Sequence, residues 1–287
     1  MAAMRVAALQ MVSTPEVAQN LATARRLIEQ AAEQGAELVA LPEYFCLMGL
    51  KDRDKLAIAE PDVGDAHDPA VAPMQAMLSD AAKAQGVWLI GGTLPIQAPT
   101  ADRVFNATLV YGPQGQRVAR YDKVHLFCFD DGTQRYDEGA TLTPGTQAVA
   151  FDMASREGQR WRVGLSVCYD LRFPELFRRL GQTPDGQPQP CDLFVLPAAF
   201  THTTGLAHWE VLLRARAIEN LCHVMAPAQG GLHVNGRRTF GHSLVIDPWG
   251  QVLAVQPEGE GVVMAELNQA KEHTLRQQLP ALSHRVF

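Results

Sequence analysis

A thiol, a carboxylate and an ammonium group each stand at the end of a strand-like run in this chain. Cys168 closes the run Arg162-Val-Gly-Leu-Ser-Val-Cys168-Tyr-Asp170, and Phe173-Pro-Glu-Leu-Phe-Arg-Arg179 then begins a helix-like segment. Such a strand-to-helix elbow puts the sulfur at the carboxyl edge of a sheet. There the amides of the turn are expected to lower the thiol pKa and to hold an oxyanion. Glu43 follows Glu37-Leu-Val-Ala-Leu-Pro42, and Lys123 lies in Tyr121-Asp-Lys-Val-His-Leu-Phe127, where another strand ends. In a partly dry cleft a carboxylate becomes a competent base toward a thiol. A fixed ammonium in the same cleft stabilises a developing oxyanion. The three types together point to a thiol hydrolase without a catalytic histidine.

Each residue also has a plainer reading. A buried cysteine is commonly just a small apolar side chain, a carboxylate after a strand can face water, and a lysine at a strand end is usually solvated. Cys168 differs from Cys46, Cys128, Cys191 and Cys222 in its elbow and in its polar neighbours Tyr169 and Asp170; the other four read as packing residues. His125 is a rival base, so chemistry alone leaves a Cys–His dyad open.

The elements that must position these groups alternate along the chain. Met4 to Met11, Glu37 to Leu41 and Val87 to Leu94 read as strands, with helices over 15–35 and 72–86, the second closed by its glycine. A β-hairpin is expected from Asn106 to Tyr111 and Arg117 to Tyr121 around Gly112-Pro-Gln-Gly115. The rhythm restarts with strand 161–167, helix 173–180, strand 192–196, helix 207–221 and strand 222–227. Strands near 240–246, 251–255 and 261–266 and a helix near 267–277 follow. Two similar α/β halves, layered as one domain over 1–287, are the expected architecture. The turn-rich Gly181 to Pro190 reads as a surface loop. On helix 207–221, Trp209, Leu213 and Ala217 form an apolar stripe and Glu210–Arg214 an i,i+4 ion pair, while Arg216 and Glu219 are free to face a partner subunit or the cleft.

Composition narrows the classes. The chain has 287 residues, 47% hydrophobic and 20% charged, enough to bury a sizeable core. A net charge of −6 with no basic tract argues against nucleic acid or an anionic membrane as partner. No apolar stretch approaches the ~18–20 residues of a membrane span, and the N-terminus lacks a signal-peptide layout. The five cysteines are scattered without a C-x-x-C pair, so disulfide and zinc frameworks both fail on spacing. A reducing cytoplasm is the expected compartment. There is no G-x-S-x-G, H-E-x-x-H, Walker or dinucleotide motif, hence no sign of a metal, nucleotide or flavin cofactor.

Three motifs carry a resemblance: Leu41-Pro-Glu-Tyr44, Asp122-Lys-Val-His-Leu-Phe127 and Gly164-Leu-Ser-Val-Cys-Tyr-Asp-Leu-Arg-Phe-Pro-Glu175. In that order they resemble the Glu–Lys–Cys signature of the nitrilase superfamily of carbon–nitrogen hydrolases, and the likeness runs from Arg5 to Gly250. The resemblance implies a four-layer α-β-β-α sandwich, with Glu43 as general base, Lys123 as oxyanion stabiliser and Cys168 as nucleophile. Glu138, in Tyr136-Asp-Glu-Gly139, matches the second active-site glutamate, with Asp137 adjacent. The Cys-Tyr-Asp-Leu-Arg-Phe run looks like the Nit amidase branch, and the segment from Ala199 to Glu219 is similar to the deaminated-glutathione amidases. This implies hydrolysis of a small-molecule amide through a thioester, releasing 2-oxoglutarate and cysteinylglycine as a repair step, with an ω-amidase as alternative and a non-catalytic scaffold as the alternative of a different class. Such a substrate carries carboxylates. Tyr169, Arg172, Phe200 and Thr201 are its candidate binding residues, and Arg237 and Arg238 are more distant ones. The family usually pairs into homodimers or higher homo-oligomers, for which helices 173–180 and 207–221 are the candidates.

Overall fold

The computed structural model describes residues 3–130, 132 and 135–286. Its first sheet begins with β1 (Met4–Gln10), which pairs in parallel with β2 (Leu38–Ala40); β2 in turn pairs in parallel with β3 (Trp88–Ile90). β4 (Leu94–Gln97), β5 (Val104–Tyr111) and β6 (Arg117–Asp122) continue it as antiparallel strands. A small hairpin, β7 (Cys128–Asp130) and β8 (Arg135–Asp137), stands apart. The second sheet holds β9 (Ala150–Ala154), β10 (Arg160–Leu165), β11 (Leu193–Val195), β12 (His223–Ala226), β13 (Ser243–Ile246) and β14 (Val252–Gln256). Its centre, β10-β11-β12, is again parallel. β15 (Gly261–Leu267) returns to pair antiparallel with β1.

Alternation within β1 explains the layering. Met4, Val6 and Ala8 face the second sheet and share a core with Val163, Leu165 and Phe194. Ala7 and Leu9 face outward, against α1 (Val17–Glu33) and α3 (Pro73–Gln85). The period-two placement of a strand buried on both faces thus separates two cores. Helix α1 buries Ala24, Leu27, Ile28 and Ala31 at helical spacing. Helix α3 starts with Pro73 and ends at Gly86 with φ 60°, a left-handed cap. On the other side α4 (Pro174–Leu180) and α5 (His202–Asn220) cover the second sheet. A short α2 (Asp54–Ala57) and the C-terminal α6 (Gln269–Gln278) complete the helices, none of which, among the described residues, is long and apolar enough to cross a membrane. The result is the expected α-β-β-α sandwich.

Three departures from the sequence reading have physical causes. The expected strand 87–94 is two strands, because Gly91 and Gly92 bend the chain between them. A Cβ at Gly92, where φ is 50°, would lie 2.2 Å from the Pro42 carbonyl oxygen. Helix α5 begins five residues earlier than expected. His-Thr-Thr-Gly is a weak helix former, but Gly205 lets the helix close onto Phe240, where a Cβ would lie 2.2 Å from the ring. Strand β9, whose Phe151 and Met153 alternate with exposed Asp152 and Ala154, was not foreseen. The loop from Gly181 to Pro190 is as expected.

Candidate active site

The elbow after β10 is strained at the sulfur-bearing residue. Cys168 has φ 47°, in the left-handed region that costs a non-glycine residue energy and clusters at functional sites. Its amide is tied to the Pro197 carbonyl at 2.9 Å after β11, and a 3₁₀ turn over Cys168–Arg172 leads into α4. Asp170, fully buried, holds the turn together. Its carboxylate accepts from the Val167 amide at 2.8 Å and from the Tyr121 hydroxyl at 2.6 Å. The same carboxylate meets the His125 amide at 3.1 Å and His125 Nδ1 at 2.7 Å. His125 is stacked on Phe173 with ring centroids 3.7 Å apart. That histidine therefore clamps the lysine-bearing segment to the elbow, its Nδ1 aimed at Asp170.

Two further strand ends converge on Cys168. Glu43 follows β2 in a turn whose next residue, Tyr44, also has φ 55° and whose amide is held by Thr93 Oγ1 at 2.9 Å. Lys123 follows β6, its amide bonded to the Asn106 carbonyl at 3.1 Å. Both side chains are buried: Lys123 Nζ lies 2.9 Å from Glu43 Oε1 and 2.8 Å from Glu138 Oε2. Glu138, just after β8, also accepts from the Phe127 amide at 2.7 Å and the Tyr44 hydroxyl at 2.9 Å. Asn106 Nδ2 at 2.9 Å and the Ala199 amide at 2.9 Å complete the shell of Glu43. Asp137 is exposed while Glu138 reaches the lysine, so the two adjacent carboxylates have different surroundings.

The electrostatics follow from burying one cation between two anions. Burial alone pulls the Lys123 ammonium down, but Glu138 and Glu43 outweigh it and hold its pKa well above the ordinary value. Burial alone pushes the Glu138 carboxyl up, and Lys123 reverses this, leaving it below the usual range. Cys168 behaves contrary to the sequence expectation. Burial first, and then the charge of Glu43, push its thiol well above the ordinary value despite the opposing pull of Lys123. A few turn amides do not compensate for desolvation beside two carboxylates. The resting thiol is therefore neutral. Site-resolved alkylation by iodoacetamide is accordingly expected to speed up about tenfold per pH unit at Cys168 from pH 6 to 8.5, with no plateau. A plateau near neutrality would mean a preformed thiolate; peptide mass spectrometry separates Cys168 from the exposed Cys128.

The wall of this pocket includes Phe127, Tyr169, Arg172, Phe200, Thr201 and Arg237. Arg172 sits over the rings of Phe200 (5.4 Å) and Tyr169 (5.8 Å) and contacts His208 Nδ1 at 3.3 Å. Among the described residues no carboxylate pairs with it. Thr201 directly precedes α5 and its hydroxyl meets that of Thr204 at 2.6 Å. Arg238 is turned away, in an exposed ion pair with Glu258 at 2.7 Å, whereas Arg237 lines the pocket and donates to the Ala199 carbonyl at 2.8 Å. Arg216 faces neither the cleft nor an open surface: it is buried, donating to the Leu171 carbonyl at 2.7 Å and to Glu219 at 2.9 Å, and braces the elbow from behind. Sequence reasoning missed Asn106, the Ala199 amide and Tyr44. A lone asparagine in the apolar run Val104-Phe-Asn-Ala-Thr-Leu-Val-Tyr111 was the available signal, since a buried polar side chain needs a partner.

The chain is 43% identical over 283 residues to a deaminated glutathione amidase of Synechocystis sp., spanning 98% of this chain and 97% of the relative. It is 36% identical over 282 residues to an omega-amidase of Pongo abelii, spanning 98% of this chain and 94% of the relative. The crystal structure of the C. elegans NitFhit protein superimposes with a TM-score of 0.84 at 37% identity, over 100% of this chain and 66% of that one. The carbon–nitrogen hydrolase profile matches residues 5–277. With likeness along nearly its whole length, and with a sandwich of the same shape beneath it, the chain belongs to the carbon–nitrogen hydrolase family.

Proposed function

We infer that the protein is an amidase that works through a thioester on Cys168, with Glu43 as base, Lys123 as oxyanion partner and Glu138 holding the lysine. The observation that carries this reading is the buried Lys123 bridging two carboxylates beside a neutral, strained cysteine. With the thiol protonated, the Glu43–Lys123–Glu138 group carries one net negative charge. A bare thiolate would add a second in a dry pocket, at a high Coulomb cost. Passing the proton from Sγ to Glu43 as sulfur attacks keeps the charge constant until the carbonyl oxygen takes it up. Lys123 and the Tyr169 amide, in the first turn of the 3₁₀ segment after Cys168, receive that oxygen. Glu43 then gives its proton to the leaving nitrogen as the C–N bond breaks. Water, deprotonated by Glu43, cleaves the thioester to a carboxylate and restores the thiol.

The substrate proposed is deaminated glutathione, cleaved to 2-oxoglutarate and cysteinylglycine, on the strength of the 43% identical relative bearing that activity in its name. Arg172, with its aromatic seat and no carboxylate partner, is the counter-ion for the acyl-side carboxylate. The second reading, an ω-amidase acting on 2-oxoglutaramate, is favoured by the omega-amidase relative. Steady-state rates on the two amides, with Cys168→Ala as blank, decide between them. At least a tenfold higher kcat/KM for deaminated glutathione supports the first, because remote binding energy is then used in the transition state. A preference for 2-oxoglutaramate replaces it with the second.

A homodimer through α5 is also proposed. Leu206, Val211 and Ile218 are 68%, 60% and 48% exposed on that helix, an apolar surface unusual for a monomer. Light scattering is expected to give about twice the mass of the 31.4 kDa chain; a monomer would withdraw the proposal.

A further inference from the structure

The space beside Cys168 is small, about 20 Å³, room for a reacting group and little more. Next to it opens a cavity of about 430 Å³, within the range of small-molecule sites. The two share a wall at two residues. Arg237 lines both, and Tyr44, which lines the larger, bonds through its hydroxyl to Glu138 of the smaller. The larger cavity has a buried apolar floor of Leu47 and Met48 and a cationic rim. Lys51, Lys55 and Arg237 face it against the single carboxylate of Asp52. That carboxylate is already engaged by Lys55 at 2.6 Å, and Lys55 also lies 5.4 Å over the Tyr44 ring. Lys51 is bonded only through its backbone, to Asp54, so its ammonium has no anionic partner among the described residues. Asn235 Nδ2 donates to the Gly49 carbonyl at 2.7 Å and ties the two loops that form the rim.

We propose that this second cavity is the leaving-group subsite, and that Lys51 recognises a carboxylate on the far end of the departing amine. The proposal rests on the reading of the reaction above and adds its specificity. A substrate with an anion at each end needs two separate cations, and the fold offers Arg172 on one wall and the Lys51 rim on the other. An extended dipeptide spans about 7 Å, so its terminal carboxylate lies well outside the small reacting cavity. The apolar floor suits a short thiol-bearing or aliphatic side chain between the two. Ammonia, as leaving group, would reach none of this.

The test uses the full chain and two substrates differing at one group: the 2-oxoglutaryl amide of cysteinylglycine with its free carboxylate, and the same compound ending in a carboxamide. The wild-type protein is expected to prefer the acid about tenfold in kcat/KM. Lys51→Glu is expected to abolish or invert that ratio, because an exposed lysine can be reversed without disturbing the fold. The preference should also shrink as salt is raised, as for any solvent-accessible charge pair. Equal rates on the two compounds in the wild type overturn the subsite while leaving the amidase reading intact. An acid preference that survives Lys51→Glu overturns the role of Lys51. Cleavage of 2-oxoglutaramate with neither long amide cleaved overturns both the subsite and the substrate proposed above.

Discussion

Cys168→Ala is expected to lose amide turnover by at least about 10³-fold while the protein stays folded. The sulfur is the atom that becomes acylated, and Cys168 is the one cysteine among the residues lining that pocket. The fold should tolerate the change for two reasons. Alanine bears the same left-handed φ of 47° at a cost similar to cysteine's. Deleting one buried sulfur also leaves only a small void, and removes a group whose ionisation the site opposes. Initial rates on a good substrate together with a thermal melt check both halves. A variant keeping a tenth of the wild-type rate would take Cys168 out of the mechanism, and a melt lowered by more than a few degrees would show the elbow depends on the sulfur.

Lys123→Met should be the more damaging change to the structure. It leaves the buried Glu43 and the largely buried Glu138 near one another without the ammonium that now lies within 2.9 Å of each. Breaking a buried pair from one side typically costs about 3–5 kcal/mol, because the partner charge is stranded out of water. Here two charges are stranded, and the usual escape is for one of them to take up a proton. Turnover should be lost with stability, since the oxyanion loses its cation. The double variant Lys123→Met, Glu138→Gln separates the causes. Removing the second charge is expected to recover much of the stability and none of the activity. Recovery of activity would assign Lys123 a purely structural role; no recovery of stability would mean that packing, rather than charge, is what the lysine supplies. Urea unfolding and steady-state rates on the four proteins of this cycle give the answer.

The order of strands and helices was largely readable, because alternation and helical spacing are local signals that burial merely enforces. Met4, Val6 and Ala8 against Ala7 and Leu9 show this directly. The failures lie where distant segments impose a conformation. Gly91-Gly92 looked like the middle of a strand, yet the Pro42 carbonyl packs against it and breaks the ladder to shape the Glu43 turn. His202 to Leu206 lay outside the expected helix 207–221, yet Phe240 and a glycine opposite make it the first turns of α5. Strand β7, which pairs with the strand that delivers Glu138, is exposed and carries no buried alternation that a pattern could detect.

At the site, residue type was informative and environment was not. Cys168 and Glu43 stand out in the chain by their chemistry and their places after apolar runs and Lys123 by its strand end, whereas Glu138 came only from the family resemblance. Their protonation was decided only by the fold. The elbow was expected to lower the thiol pKa, whereas desolvation and the charge of Glu43 raise it. Whether His125 or Glu43 serves the sulfur was equally open in one dimension, and the contact of His125 with Asp170 and Phe173 is a product of packing. The sequence by itself determined which groups are present and which strand ends carry them, since both follow from residues near each other in the chain. Tertiary structure alone decided which groups share a dry pocket and how many opposite charges each one meets. Coulomb and desolvation energies depend on distances through space, and those distances join residues as far apart in the chain as Glu43 and Ala199.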